Sequence, residues 1–360
     1  MKIAAIEVVG LLGSMPHCLV KVTTEDGLAG WGEAEAPASI VRAVVELPRR
    51  DDRCQGLAAA LVGRDAADTE GAWSAMAESM LRIGRDGVHL AAMAAVDIAL
   101  WDIRGKAEGK PIHALLGGAK RDRIACYGTH TLGRTADETR QIARRLAGSG
   151  LAALKFGWLP RGQSVAEDVA LVRLLREAVG PRLGLLIDVG MHWTVEGALE
   201  RAKRIADQEI GWLEEMLPAY DIEGYAHLRA GSPIPITAGE MAQSEDELGR
   251  LVAAHAVDTL QIEVCRVGLT PAMRIAAVAN ARGIRIVNHT YALSVNLAAS
   301  LHMMAAAAEV GLVEVPMGAG EVREAITPDP PVIRDGFAHV PQGPGLGVTV
   351  DEAAFGPFLV

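Results

Sequence analysis

The sequence predicts an α/β protein: a modified TIM-type (β/α)7β barrel with an α+β capping domain formed by the N-terminal segment and the C-terminal tail. Three observations predict it. From Arg123 onward, eight short apolar runs alternate with stretches of helical spacing. Three successive runs end in carboxylates, Asp188, Glu214 and Glu240, each 26 residues from the next, about the length of one strand, loop, helix and loop. Upstream, residues 1–35 alternate like an antiparallel sheet and residues 38–110 change to a helical period.

The cap comes first, over residues 1–115. Lys2–Val9, Cys18–Thr24 and Gly30–Ala34 read as strands, with a hairpin turn at Glu25-Asp-Gly27. Ala58–Val62 and Val88–Trp101 have helical spacing, and Gly109 with Pro111 ends the second helix. The barrel spans 116–325. Its strands are Ile124–Tyr127, Leu151–Phe156, Leu183–Asp188, Gly211–Glu214, Ile234–Ala238, Thr259–Glu263, Ile284–Asn288 and Leu312–Val315. Between them run helical stretches such as Asp137–Leu146, Val165–Val179, Glu196–Gln208, Glu245–Ala254, Pro271–Arg282 and Ser294–Ala308. Eight strands with intervening helices close into a barrel more readily than they open into a doubly wound sheet. No full helix follows Val315, and residues 326–360 form a Pro-rich tail expected to return to the cap.

Composition narrows the function. The chain has 360 residues, 50% hydrophobic and 22% charged, enough for a large core. A net charge of −10 without a Lys/Arg run argues against nucleic acid, and no apolar run reaches the roughly 20 residues that cross a bilayer. The four cysteines lack disulfide or C-x-x-C grammar, and the first residues read as a strand rather than a signal peptide. A cytoplasmic enzyme is expected, and its mean hydropathy of +0.20 points to a homo-oligomer.

In a barrel of parallel strands all C-termini open on the face where active sites lie. One carboxylate at a strand end is ordinarily a helix cap or a solvated charge, but three together repel unless a cation neutralises them. An all-oxygen set suits Mg²⁺, one per subunit, on Asp188, Glu214 and Glu240. Lys155 ends the second strand and His289 the seventh, so two candidate bases flank the metal. A nearby cation would lower the Lys155 pKa. Glu263, ending the sixth strand, is a neighbour able to set the His289 tautomer and stabilise its imidazolium. His130 and His192 are candidates for substrate hydroxyls. His17 and Arg42, in the cap, rank behind them.

These residues resemble the enolase superfamily and, within it, the mandelate racemase subgroup, over the whole chain. Gly27-Leu-Ala-Gly-Trp-Gly-Glu-Ala34 is similar to the family's cap hairpin. Ala95-Val-Asp-Ile-Ala-Leu-Trp-Asp-Ile-Arg-Gly-Lys106 with Pro111-Ile-His-Ala-Leu-Leu-Gly-Gly118 is similar to its helix entering the barrel. Leu186-Ile-Asp188, Trp212-Leu-Glu-Glu215 and Ala238-Gly-Glu240 resemble the metal-ligand motifs, with the first Glu of the pair as ligand. Lys155 matches the second Lys of Lys-x-Lys, and His289 with Glu263 the His-carboxylate dyad. Val313-Glu-Val-Pro316 resembles the eighth-strand motif, which implies that Glu314 lies near the substrate carboxylate. Trp193 fits the pattern of the sugar-acid dehydratases. Ala153, Gly190, Glu263 and Met216 depart from the family pattern, where Lys, Asn, Asp and Pro are usual.

The resemblance implies Mg²⁺-dependent abstraction of the proton α to a carboxylate through a stabilised enediolate. The favoured outcome is dehydration of a sugar acid, an aldonate or aldarate, to a 2-keto-3-deoxy acid by a hydro-lyase. The alternatives are a racemase or epimerase of a 2-hydroxy acid and a non-catalytic sugar-acid binding protein. Cycloisomerisation is set aside, because the resemblance links that branch to a seventh-strand Lys where this chain has His289.

Overall fold

The computed structural model describes residues 1–13, 15–84, 86–318 and 320–360. The chain opens with an antiparallel sheet of three strands, Ile3–Leu12, Pro16–Thr24 and Ala29–Ala34, in sequential order. The helix Val88–Glu108 lies against it. Gly30 and Gly32 permit that contact: a Cβ would come within 2.2 Å of the Ala99 carbonyl oxygen at Gly30 and within 1.8 Å of the Ala95 carbonyl oxygen at Gly32. The Gly-Trp-Gly pattern is therefore a packing requirement. Alanines and leucines carry this helix for 21 residues, and Gly109 ends it in a left-handed conformation.

Among the described residues, eight parallel strands form the barrel: Arg123–Thr131, Ala153–Gly157, Gly184–Asp188, Ile210–Glu214, Ile236–Ala238, Thr259–Ile262, Arg285–Asn288 and Val313–Pro316. The eighth pairs with the first along four residues. It meets the seventh through a bridge between Ile286 and Val310 and a bond from Gly311 N to the Ile286 carbonyl. Tyr127, Ala153, Leu186, Trp212 and Val287 fill the interior, so the barrel is a packed core with an open end, not a pore.

Among the described residues, seven helices of nine or more residues link the strands. Five carry their own N-cap: Thr135, Ser164, Thr194, Asp221 and Ser244 each accept a hydrogen bond from the backbone N–H three residues on. The sequence reading passed over one of them, Ile222–Gly231, whose two glycines and weak periodicity hide it. Leu269–Ala281 and Ser294–Ala306 lack a local side-chain cap. The N-terminal region supplies both. Asp97 accepts from Thr270 N at 2.8 Å, and Glu33 accepts from Leu293 N at 2.9 Å and Asn296 N at 3.0 Å. Both carboxylates are buried, and capping secures the cap to the barrel at the helix ends nearest the sixth and seventh strands.

The tail has a more divided path than a simple return to the cap. After a short helix, Glu321–Ile326, the strands Ile333–Arg334 and Phe337–His339 form a hairpin, and the second pairs with the start of the first barrel strand. Leu346 N then bonds to Asp102 of the long helix, and the last residues reach the cap sheet, where Val360 N donates to the Gly10 carbonyl. Among the described residues no helix is long and apolar enough to cross a membrane.

Candidate active site

Each of the expected carboxylates stands at or just beyond the C-terminal end of a barrel strand, and all three are buried. Asp188 and Glu214 are register partners on adjacent strands. Glu240 follows Gly239, whose φ of 129° and contact with the Gln261 carbonyl (2.5 Å from a would-be Cβ) leave room only for glycine. Burial and the neighbouring Glu214 push the Asp188 carboxyl up to about 8. Burial likewise raises Glu240 well above the usual carboxylate range, with Glu214 and Asp188 adding to it. Glu215, the second Glu of its pair, turns away: it accepts from Tyr225 Oη at 3.0 Å and Gly239 N at 2.8 Å.

Lys155 lies among these groups with its ammonium bonded to Glu214 and 2.8 Å from Glu314. Gln261 Nε2 and Trp212 Nε1 also donate to Glu214, at 3.1 and 2.8 Å. Burial alone would lower the Lys155 pKa, but Glu214 and Glu314 outweigh it and hold the ammonium well above its ordinary value. Those two carboxylates are its nearest charged partners, so a lowered Lys155 pKa requires that one of them be neutralised. The three expected metal ligands share a face, but their ligand atoms do not all lie within 4.8 Å of one another. Among the described residues, Glu35, Glu263 and His289 are the group of three ligand atoms lying within 4.8 Å of one another.

His289 completes the opposite wall. Its Nδ1 is 2.8 Å from Glu263 Oε2, and its Nε2 faces Glu240 Oε2 at 3.4 Å. The extra methylene of Glu263 does not spoil the dyad. Asn296 Nδ2 contacts both Glu263 oxygens and Cys265 N bonds to Oε1, so the longer side chain is held on two sides. Burial works against an imidazolium, but Glu240, Glu263, Glu314 and Glu35 overcome it and raise the His289 pKa well above 6.5.

Sequence reasoning missed Glu35 and Arg266. Glu35 comes from the cap, 4.0 Å from His289 Nδ1, and is clamped by Arg266 through bonds of 2.8 and 3.0 Å. The signal was present: Glu33 and Glu35 are two apart at a strand end and so leave it on one face. Of the other expected contacts, Glu314 joins the cluster and also accepts from Thr290 N at 3.0 Å. Trp193 is buried beneath the Arg201 guanidinium, 4.7 Å from it, and His192 lies against Trp193. His130 Nδ1 contacts the Thr131 carbonyl. Among the described residues none of these last three is hydrogen-bonded to Lys155 or His289.

The donor set fits a divalent cation. Among the described residues the cations facing Asp188, Glu214, Glu240, Glu263, Glu314 and Glu35 are Lys155, His289 and Arg266, and Glu240 Oε2 is a buried oxygen without a hydrogen-bond donor. Such an excess of buried negative charge is costly unless neutralised. A cavity of about 730 Å³ opens at the other end of the barrel, where Ala153, Gly184 and Gly211 line it with none of these groups.

Residues 7–117 match the mandelate racemase / muconate lactonizing enzyme N-terminal domain, and residues 137–354 the enolase C-terminal domain-like family. The D-galactarolactone cycloisomerase of Agrobacterium fabrum is 33% identical, over 95% of this chain and 91% of its own. A D-galactonate dehydratase family member of Streptomyces bingchenggensis is 32% identical, over 98% and 92%. The crystal structure of the 3,6-anhydro-D-galactonate cycloisomerase from Zobellia galactanivorans superposes with a TM-score of 0.91 at 29% identity, covering 100% of both chains.

Proposed function

The chain belongs to the mandelate racemase / muconate lactonizing enzyme family of the enolase superfamily, and on that premise we propose that it dehydrates a sugar acid to a 2-keto-3-deoxy acid. Mg²⁺ held by Asp188, Glu214 and Glu240 would supply neutralising charge to the substrate carboxylate as its α-proton leaves. Lys155 takes that proton. Its hold by Glu214 is the obstacle, and a cation on Glu214 would take that carboxylate's charge from the ammonium and lower its pKa. His289, charged through Glu263, delivers a proton from Nε2 to the departing β-hydroxyl. Glu314 steadies Lys155 from the other side.

The observation that carries the reading is the His289–Glu263 contact at 2.8 Å, with Nε2 turned toward the carboxylates and Lys155 among them. It is the arrangement of an acid kept charged and aimed. A second reading has support in the relatives. Two of them are named as cycloisomerases, which brings that reaction back into consideration. The same proton transfers would then open a ring, with the ring oxygen leaving in place of a hydroxyl.

The test is a panel of aldonic acids, aldaric acids and their lactones with the Mg²⁺-loaded protein, following 2-keto acid formation and α-proton exchange in D₂O. Keto acid from open-chain acids is the expected result, and keto acid from lactones or anhydro acids alone selects the second reading. Epimerisation at C2 without keto acid would make the protein an epimerase. No exchange with any acid would refute the chemistry.

A further inference from the structure

Beside the barrel mouth lies a cavity of about 150 Å³ that the chemistry above does not use. Met15 and His17 line it from the cap, Tyr291 from beyond the seventh strand, Pro316 at the end of the eighth, and Glu321 and Arg323 from the short helix after it. Tyr291 is two residues past His289 and Pro316 two past Glu314. Two extended residues span at most about 7 Å, so the cavity begins within one small-molecule length of the dyad.

The cationic group in it is Arg323. It is half-buried and folds back over Gly320, where a Cβ would meet its Nη2 at 2.4 Å. Among the described residues it forms no ion pair, and the one carboxylate lining the cavity, Glu321, is exposed on the rim. His17 is also half-buried, and burial together with the nearby guanidinium lowers its pKa, so it faces Arg323 as a neutral imidazole with one N–H to give. A planar cation without a counter-ion, next to a neutral donor, matches one carboxylate. A phosphate dianion would call for more positive charge.

We propose that Arg323 and His17 form a subsite for a second, distal carboxylate, so that the acid turned over is a diacid, an aldarate or its monolactone, and not an aldonate. This rests on the α-proton chemistry proposed above. The reacting carboxylate sits with the barrel carboxylates and Lys155, while the far end of the chain passes the dyad and ends at Arg323.

The test compares a hexaric acid with the hexonic acid of matching configuration, in the Mg²⁺-loaded full chain and in Arg323→Met and His17→Gln. The parent should prefer the diacid in kcat/KM. Arg323→Met should reduce that preference roughly tenfold to a hundredfold, the loss of one charge-assisted contact, mainly through KM, with a smaller reduction in His17→Gln. Equal or better turnover of the hexonic acid, or a preference untouched by Arg323→Met, overturns the subsite and leaves the α-proton reading intact. Calorimetric binding of the two acids separates the failures. Diacid binding weakened by Arg323→Met without α-exchange keeps the subsite and refutes the chemistry, and diacid binding that Arg323→Met leaves unchanged overturns the subsite whatever the turnover.

Discussion

Glu263→Gln is the sharpest probe of the dyad. The side chain is 1% exposed, with Oε2 at 2.8 Å from His289 Nδ1, while Cys265 N and Asn296 Nδ2 donate to Oε1 at 2.7 and 3.0 Å. In the amide, the carbonyl oxygen belongs where those two donors meet, which turns the NH₂ group toward Nδ1. Nδ1 must then accept, the neutral ring carries its proton on Nε2, and the imidazolium loses its carboxylate. A hydrogen bond to a charged group is worth about 1.5–3 kcal/mol, so kcat for elimination should fall roughly ten- to 150-fold. Proton abstraction by Lys155 does not need the imidazolium. The assay is therefore paired: keto acid formation and α-deuterium incorporation on one sample, with circular dichroism to check folding. Exchange should outrun elimination more in Glu263→Gln than in the parent. Elimination within about threefold of the parent across the pH range, with folding intact, would show that the dyad takes no part, since acid–base assistance is ordinarily worth 10²–10⁴-fold.

Two further predictions concern stability. Lys155→Met leaves Glu214 and Glu314 buried without their cation, and breaking such a pair costs about 3–5 kcal/mol; in EDTA its melting temperature should drop, with Mg²⁺ restoring more in the variant than it adds to the parent. His302 is buried, bonded from Nε2 to the Leu346 carbonyl and accepting at Nδ1 from His113 N, and burial lowers its pKa to about 3. A folded pKa below the unfolded 6.5 means its contribution is full above pH 6.5 and is lost as the pH falls toward 3. About 3 kcal/mol should be gone by about pH 4.5, and denaturant titrations should show a shallower acid slope in His302→Gln than in the parent.

The barrel was legible because its signals are local. Apolar runs of strand length, Ser, Thr or Asp at helix starts, and a repeat of one β/α unit all act within a few residues, and the ends of the eight strands lie within four residues of where the pattern put them. The helix Ile222–Gly231 escaped for the same reason: Asp221 caps it, but Gly224 and Gly231 dilute its apolar stripe. The closing of the chain was only partly legible. The hairpin that joins Phe337–His339 to the first barrel strand depends on a partner two hundred residues upstream, and no spacing rule reaches so far.

The site divides along the same line. A carboxylate that ends a strand announces itself, because the strand aims it at one face. What sequence could not give was the balance of charge among those groups. Lys155 reads as a base beside a cation, and nothing near it in sequence shows that Glu214 and Glu314 hold its proton at bonding distance. Glu35 makes the point more strongly. Nothing near it in sequence carries the chemistry, and its two working neighbours, Arg266 and His289, are each more than two hundred residues away. It enters the site because Gly30 and Gly32 lay the cap strand on the long helix, and because Glu33, on the same strand face, caps the helix that follows His289. The cap's place over the barrel is thus fixed by backbone contacts and a helix cap, and the same strand delivers a carboxylate to the dyad. A change at Gly32 would accordingly disturb His289 through Glu35 without touching either residue.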